Sequence, residues 1–327
     1  MLVNLRQTPT YQNWCRGLLA KVCDSRPIRQ RITTMRKLFV NQEGQIRSGW
    51  RLLIWFAIVV ATHLAITYIG THLGAGGPHA FLDPPWLIAT DLLLIFIPTV
   101  LATFVMMRIE RRHLSDYYVH LRRLFGGLFW RGLFWGAASV ALLIGLIAAF
   151  GGYRITGLAS HGSALVYGLL LWIAASLVIG VVEEFAFRSY MLRTLADGIG
   201  FWPAAAVLAV GFGALHYFTK PNERWEDFAC TGLLAFLLTI TIRRTGDLAF
   251  AIGWHAAFDF GNIYFLAGRN AGEFAEGRLF TTSWPGPDWL TGGLLGPEAS
   301  WMIFVVIAGL FLVFTRFIPR VSQPAAQ

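Results

Sequence analysis

The chain has 327 residues, of which 56% are apolar and only 14% charged, with 13 Trp and 26 Phe. A soluble domain usually carries about 25% charged residues, so the composition excludes a soluble enzyme. The net charge of +9 does not indicate nucleic-acid binding, because it gathers in a few loops as a topology signal. The cysteines Cys15, Cys23 and Cys230 have the spacing of neither a disulfide framework nor a zinc site.

Residues 1–50 are polar and basic and read as a cytoplasmic N-terminal extension. A short amphipathic helix around WCRGLLAKVC is a weak signal within it. No signal peptide is read, since the first long apolar run begins near Leu52. Eight hydrophobic segments follow, roughly 52–70, 86–107, 132–150, 164–184, 201–218, 227–242, 248–266 and 300–318. Their connections carry breakers: GAGGP, ADGIG, WPGPDW and GGLLGP. The predicted fold class is an all-α polytopic membrane protein with about eight transmembrane helices. The membrane domain covers 51–320, and 321–327 form a short tail. The long connection 267–299 is expected to pack as a cap. All but five of the 27 Lys and Arg fall on the side of the N-terminus, the five being Arg154, Lys220, Arg224, Arg269 and Arg278. That split predicts both termini in the cytoplasm.

A charge within a span costs about 2.5–3.5 kcal/mol on insertion scales, so each needs a reason. Segment 4 ends in VVEEFAFRSY. Glu184 and Arg188 are four apart with the acid first, the favourable order for a helical pair. Glu183 points about 100° away and is left available for chemistry. His216 lies late in segment 5, and the midpoint of 183 and 216 falls within the ADGIG turn. If segment 4 continues as helix, Glu183 and His216 therefore sit at the same depth on antiparallel neighbours. In segment 7, His255, Asp259 and Asn262 fall at i, i+4 and i+7, a polar stripe that must face protein or a wet cavity. His63 reads as a packing histidine and Asp91 as an acid near the outer end of its span. GLFWG, residues 132–136, reads as a small-xxx-small helix contact.

Two carboxylates, two imidazoles and an Asp or Asn can hydrolyse a peptide bond. Glu183, His216 and His255 could equally ligate a divalent metal such as zinc, although no HExxH is present. A non-catalytic scaffold, a bacteriocin-immunity protein or a transporter would use the same polar faces.

EEFAFR reads as EExxxR, FGALH as FxxxH and HAAFD as a variant of HxxxN. These three blocks, in this order on membrane segments, resemble the CAAX protease and bacteriocin-processing (CPBP, Abi) family, over roughly residues 160–266. The resemblance implies an intramembrane protease of glutamate type, with metal dependence left open and no cofactor required. It implies Glu183 as the water-activating base, with Glu184 and Arg188 shaping and orienting it. His216 and His255 would bind the water and shuttle protons. Asp259 stands where the family has Asn. Either Asp259 is protonated, or Asn262 donates to the oxyanion instead, or Asp259 orients His255. The implied partners are a membrane-associated or lipidated protein or peptide and the bilayer, with no nucleic acid. The expected location is a prokaryotic cytoplasmic membrane.

Overall fold

A computed structural model describes residue 13 and residues 38–41, 44–74, 83–220, 223–270 and 272–318. Most of the 1–50 extension, with WCRGLLAKVC, Cys15 and Cys23, lies outside the described residues, as do most of GAGGP and the 321–327 tail. The chain divides into two compact units, Met1–Arg51 and Leu52–Gln327. In the first, a bridge joins Val40 to Ile46, and the Trp50 indole donates to the Leu38 carbonyl.

All eight predicted segments are helical. They are α1 Ser48–His72, α2 Pro84–Glu110, α3 Gly127–Ala149, α4 Gly162–Ile199, α5 Phe201–Thr219, α6 Trp225–Thr245, α7 and α8 Trp301–Phe317. α7 starts as Ala249–Asp259 and runs on through a π-helical turn, Phe260–Phe265. α1 to α6 are long and apolar enough to cross a membrane. The 17 residues of α8 rise about 25 Å, a little short of a typical hydrocarbon core. The fold is all-α and polytopic. To this the structure adds a ribbon of two antiparallel strands, β1 Arg154–Leu158 and β2 Phe280–Ser283. The ribbon joins the connection before α4 to the 267–299 segment. That segment is also held by the Trp172 indole, which donates to the Glu276 carbonyl.

α4 does not stop at the glutamate pair. It continues through a π turn, Phe187–Met191, to Ile199, so Glu183 and Glu184 lie within the helix and not at a headgroup-level end. Gly200, at φ 85°, makes the reversal into α5, a conformation that glycine adopts without strain.

α7 runs through the centre of the fold, and glycines let it in. A Cβ on Gly132 or Gly136 of α3 would run into the Phe250 or Trp254 carbonyl of α7, and one on Gly253 of α7 would strike the Phe129 carbonyl. The GLFWG reading is thus met by direct backbone contact between α3 and α7. Gly180 of α4 lies against Ile252 and Ala256 on another side of α7. The largest core cluster gathers around Phe250, Trp254 and Phe258 of α7, with Leu143 and Ile147 of α3, Leu237 of α6 and Val306 of α8. Hydrophobic burial discriminates little between helices already in lipid, so this close fit supplies van der Waals contact in its place.

Candidate active site

The residues singled out in α4, α5 and α7 converge. Glu183, Glu184, Arg188, His216, His255 and Asp259 all line one cavity of about 170 Å³. At about 30 Å³ per water, this holds a small cluster of waters or a peptide carbonyl with its attacking water. Leu87, Ile179, Leu234 and Trp254 supply apolar wall.

Glu184 is fully buried and Arg188 nearly so. An Arg188 guanidinium nitrogen lies 2.5 Å from Glu184 Oε1. The guanidinium also donates to the Ala235 carbonyl at 3.4 Å and sits over the Phe212 ring at 5.1 Å. Three neighbours on three helices therefore fix this arginine. Glu184, paired with it, is an acceptor, so the second group on the same Oε1, His255 Nδ1 at 2.9 Å, is the donor. The bond turns His255 Nε2 toward Glu183 Oε2 at 3.7 Å and Asp259 Oδ2 at 3.6 Å. On α5, His216 Nδ1 lies 3.0 Å from the Phe212 carbonyl one turn earlier. Its Nδ1 is thereby the protonated nitrogen, and its Nε2 is left for the cavity.

The same geometry assigns contacts that spacing alone does not. The group that orients His255 is Glu184, reached across the α4–α7 contact; Asp259 faces the other ring nitrogen. Asn262 is not among the cavity-lining residues. Its amide donates to Glu298 Oε1 at 2.8 Å, because the π turn that starts at Phe260 breaks the i+4 progression carrying His255 to Asp259. His63 behaves as a packing histidine, with Nδ1 2.9 Å from the Leu94 carbonyl.

Asp91 requires a correction. The sequence makes it an acid near the outer end of its span, yet it lines the cavity, where the π turn Asp91–Phe96 opens within α2. Its presence as an acid in an apolar span was the available signal. Lys220, Asn270 and Glu298 also line the cavity. Lys220 lies one turn after His216, a signal that spacing did offer. Asn270 and Glu298 come from the cap, and only tertiary closure brings them in.

Among the described residues, no three His, Cys, Asp or Glu side chains form a group that could hold a metal ion. Glu183, His216 and His255 share the cavity without making such a cluster.

No curated protein matches the chain. Residues 164–261 match the family described as type II CAAX prenyl endopeptidase Rce1-like. This is a protease family, and the matched span holds every residue of the EExxxR, FxxxH and HxxxD blocks. The resemblance those blocks carry is thereby shown for this third of an integral membrane protein.

Proposed function

We propose that the chain is an intramembrane endopeptidase of glutamate type. The observation that carries this reading is the convergence of Glu183, His216 and His255, from three helices, on one cavity of about 170 Å³. In the proposed reaction Glu183 takes a proton from a water as the water oxygen attacks the scissile carbonyl carbon. His255 Nε2 and the free nitrogen of His216 hold that water. Asp259, protonated, donates to the oxyanion of the tetrahedral intermediate. The proton held by Glu183 then passes to the leaving nitrogen, the C–N bond breaks, and the carboxyl and amine products separate. Glu184 and Arg188 do not touch the reacting atoms in this scheme; they hold the His255 ring.

The catalytic unit is taken as the membrane domain 51–320, in a prokaryotic cytoplasmic membrane with both termini inside. In the matched family the substrate is a membrane-associated prenylated protein. For this chain we propose a membrane-associated or lipidated protein or peptide. No metal is needed in this scheme, and none of its steps passes through one. The transporter alternative is less well supported. α2, α4 and α7 carry widened turns but remain continuous, whereas transport sites favour helices broken at mid-span.

The test is Glu183→Ala in purified protein. Cleavage is expected to fall by at least about 10²–10⁴-fold, the usual contribution of a general base, with an unchanged elution profile. Turnover at the wild-type rate removes Glu183 from the mechanism. Wild-type activity abolished by a chelator and restored by zinc replaces the glutamate-type scheme with a metal-dependent one.

A further inference from the structure

The π turn that carries Arg188, Phe187–Met191, is held from two sides. Such widened turns are rare and gather at functional sites. Arg188 and Tyr190 are two positions apart, so they leave the turn on roughly opposite faces. Arg188 goes inward, to Glu184, the Ala235 carbonyl and the Phe212 ring. Tyr190 goes outward, is fully buried, and donates its hydroxyl to Glu110 Oε1 at 2.6 Å. That length suits a hydrogen bond to a charged acceptor.

Glu110 is the last residue of α2, and its side chain is only 7% exposed. It also accepts from the Tyr117 hydroxyl at 3.2 Å and lies 3.6 Å from an Arg112 guanidinium nitrogen. The Tyr190 ring stacks on Trp55 of α1 at 5.8 Å and meets the Tyr117 ring at 5.3 Å. The Trp55 indole donates to the Thr103 hydroxyl of α2 at 3.1 Å. α1, α2 and the α2–α3 connection thus close on one side chain of the turn. Packing accounts for the rings. It does not account for the carboxylate, which loses hydration among them, since a phenylalanine at 190 would stack as well without it. What the hydrogen bond adds is direction. A ring held by stacking alone can slide along its neighbours, whereas a short bond to the end of α2 fixes how the turn is rotated. Arg188 shares that turn, so its aim is fixed with it. Glu110 lies outside the family-matched residues 164–261, and the bond ties the EExxxR block to a part of the chain beyond them.

We propose that Glu110 and Tyr190 form a latch that sets the rotation of the π turn and so aims Arg188 at Glu184, which in turn holds His255. The catalytic consequence rests on the endopeptidase reading. Both are positioning residues, and neither meets the reacting atoms.

The experiment uses purified full-length protein and one membrane-embedded peptide. Tyr190→Phe keeps the ring and removes the hydroxyl. Its kcat is expected to fall at least about tenfold, the effect of losing one hydrogen bond to a charged group, with KM within about twofold of wild type. Thr103→Val is the control for packing: it removes the partner of the Trp55 indole in the same cluster and leaves the latch alone. It should lower the thermal midpoint and keep the wild-type kcat. Glu110→Gln keeps an acceptor without the charge and should also lower kcat. The Glu110→Gln, Tyr190→Phe double variant should fall no further than the worse single variant, as two residues acting together do. A second readout needs no turnover: amide hydrogen exchange across residues 187–191. It should quicken at least about tenfold in Tyr190→Phe and stay unchanged in Thr103→Val. Wild-type kcat in Tyr190→Phe overturns the proposal and leaves the endopeptidase reading standing. Losses that multiply in the double variant, or an equal kcat loss in Thr103→Val, show packing alone and overturn it as well. Unchanged exchange in Tyr190→Phe overturns the latch whether or not the protein cleaves. Quicker exchange in a protein that cleaves nothing even as wild type supports the latch and defeats the endopeptidase reading.

Discussion

α1 and α7 use the membrane in opposite ways. α1 is a mostly apolar helix of 25 residues, and only 6% of its most apolar stretch is buried within the protein. In the Ala249–Asp259 part of α7, every residue is buried except His255 and Asp259, the two that bring ionisable groups to the cavity. α1 is held mainly by lipid, and hydrophobicity is nearly all that is asked of its side chains. α7 is held by protein on several sides, so shape is asked of it: glycine where α3 crosses, small residues toward α4, polar groups toward the cavity. Hydropathy alone ranks these helices in the reverse of their importance to the site.

Substitutions can break or sharpen this contrast. The largest effect is expected from Arg188→Ala. It leaves Glu184 buried without its cation and disturbs the carboxylate that holds His255, at a cost of about 3–5 kcal/mol. Folded yield after detergent extraction and peptide cleavage should both fall steeply. A fully active, well-folded variant would show that the pair does not position α7. Gly253→Leu comes next. The new side chain meets the Phe129 backbone, and overpacking of this kind costs about 1–3 kcal/mol, so a lower thermal midpoint and lost activity are expected. An unchanged midpoint would mean that α3 and α7 can separate cheaply.

Asp259→Asn should be milder. Glu184 already orients His255 Nδ1, so the amide can replace a protonated acid as donor. Activity is expected to persist within about tenfold. The alkaline decline of the wild type, arising as the acid ionises, should vanish. A pH–rate profile of both proteins on one peptide decides this, and an inactive Asn variant removes the donor role. The smallest effect belongs to α1. Leu64→Ala, on its exposed face, should change stability by less than about 0.5 kcal/mol. A shift as large as that of Gly253→Leu would mean that the α1 face is covered by another protein surface.

Much of the site was legible because its residues sit at fixed intervals on helices. Glu184 and Arg188 pair as their spacing demands, and Glu183 and His216 share a cavity as the reversal between α4 and α5 requires. What was not legible depends on single-residue insertions and on tertiary closure. A π turn adds one residue to a helical turn without altering composition, so nothing in the sequence marked the re-aiming of Asn262. Asp91 comes from a helix that carries no motif. Glu298 lies 36 positions beyond Asn262 and reaches it only through the folded cap. The β1–β2 ribbon joins segments more than a hundred residues apart, and neither has a pronounced strand pattern.

The glycine seam between α3 and α7 has a consequence for biosynthesis. α7 is short, and its Ala249–Asp259 core carries both His255 and Asp259, so it is a poor candidate for insertion on its own hydrophobicity. We expect it to cross only once α3 and α4 are in place to receive it, as a late, partner-dependent step. Chains truncated after α7 and carrying a reporter tag should place the tag on the non-cytoplasmic side when Gly132 and Gly136 are intact. In the Gly132→Leu, Gly136→Leu double variant the tag should stay cytoplasmic, and equal translocation of both chains would show that α7 inserts without help.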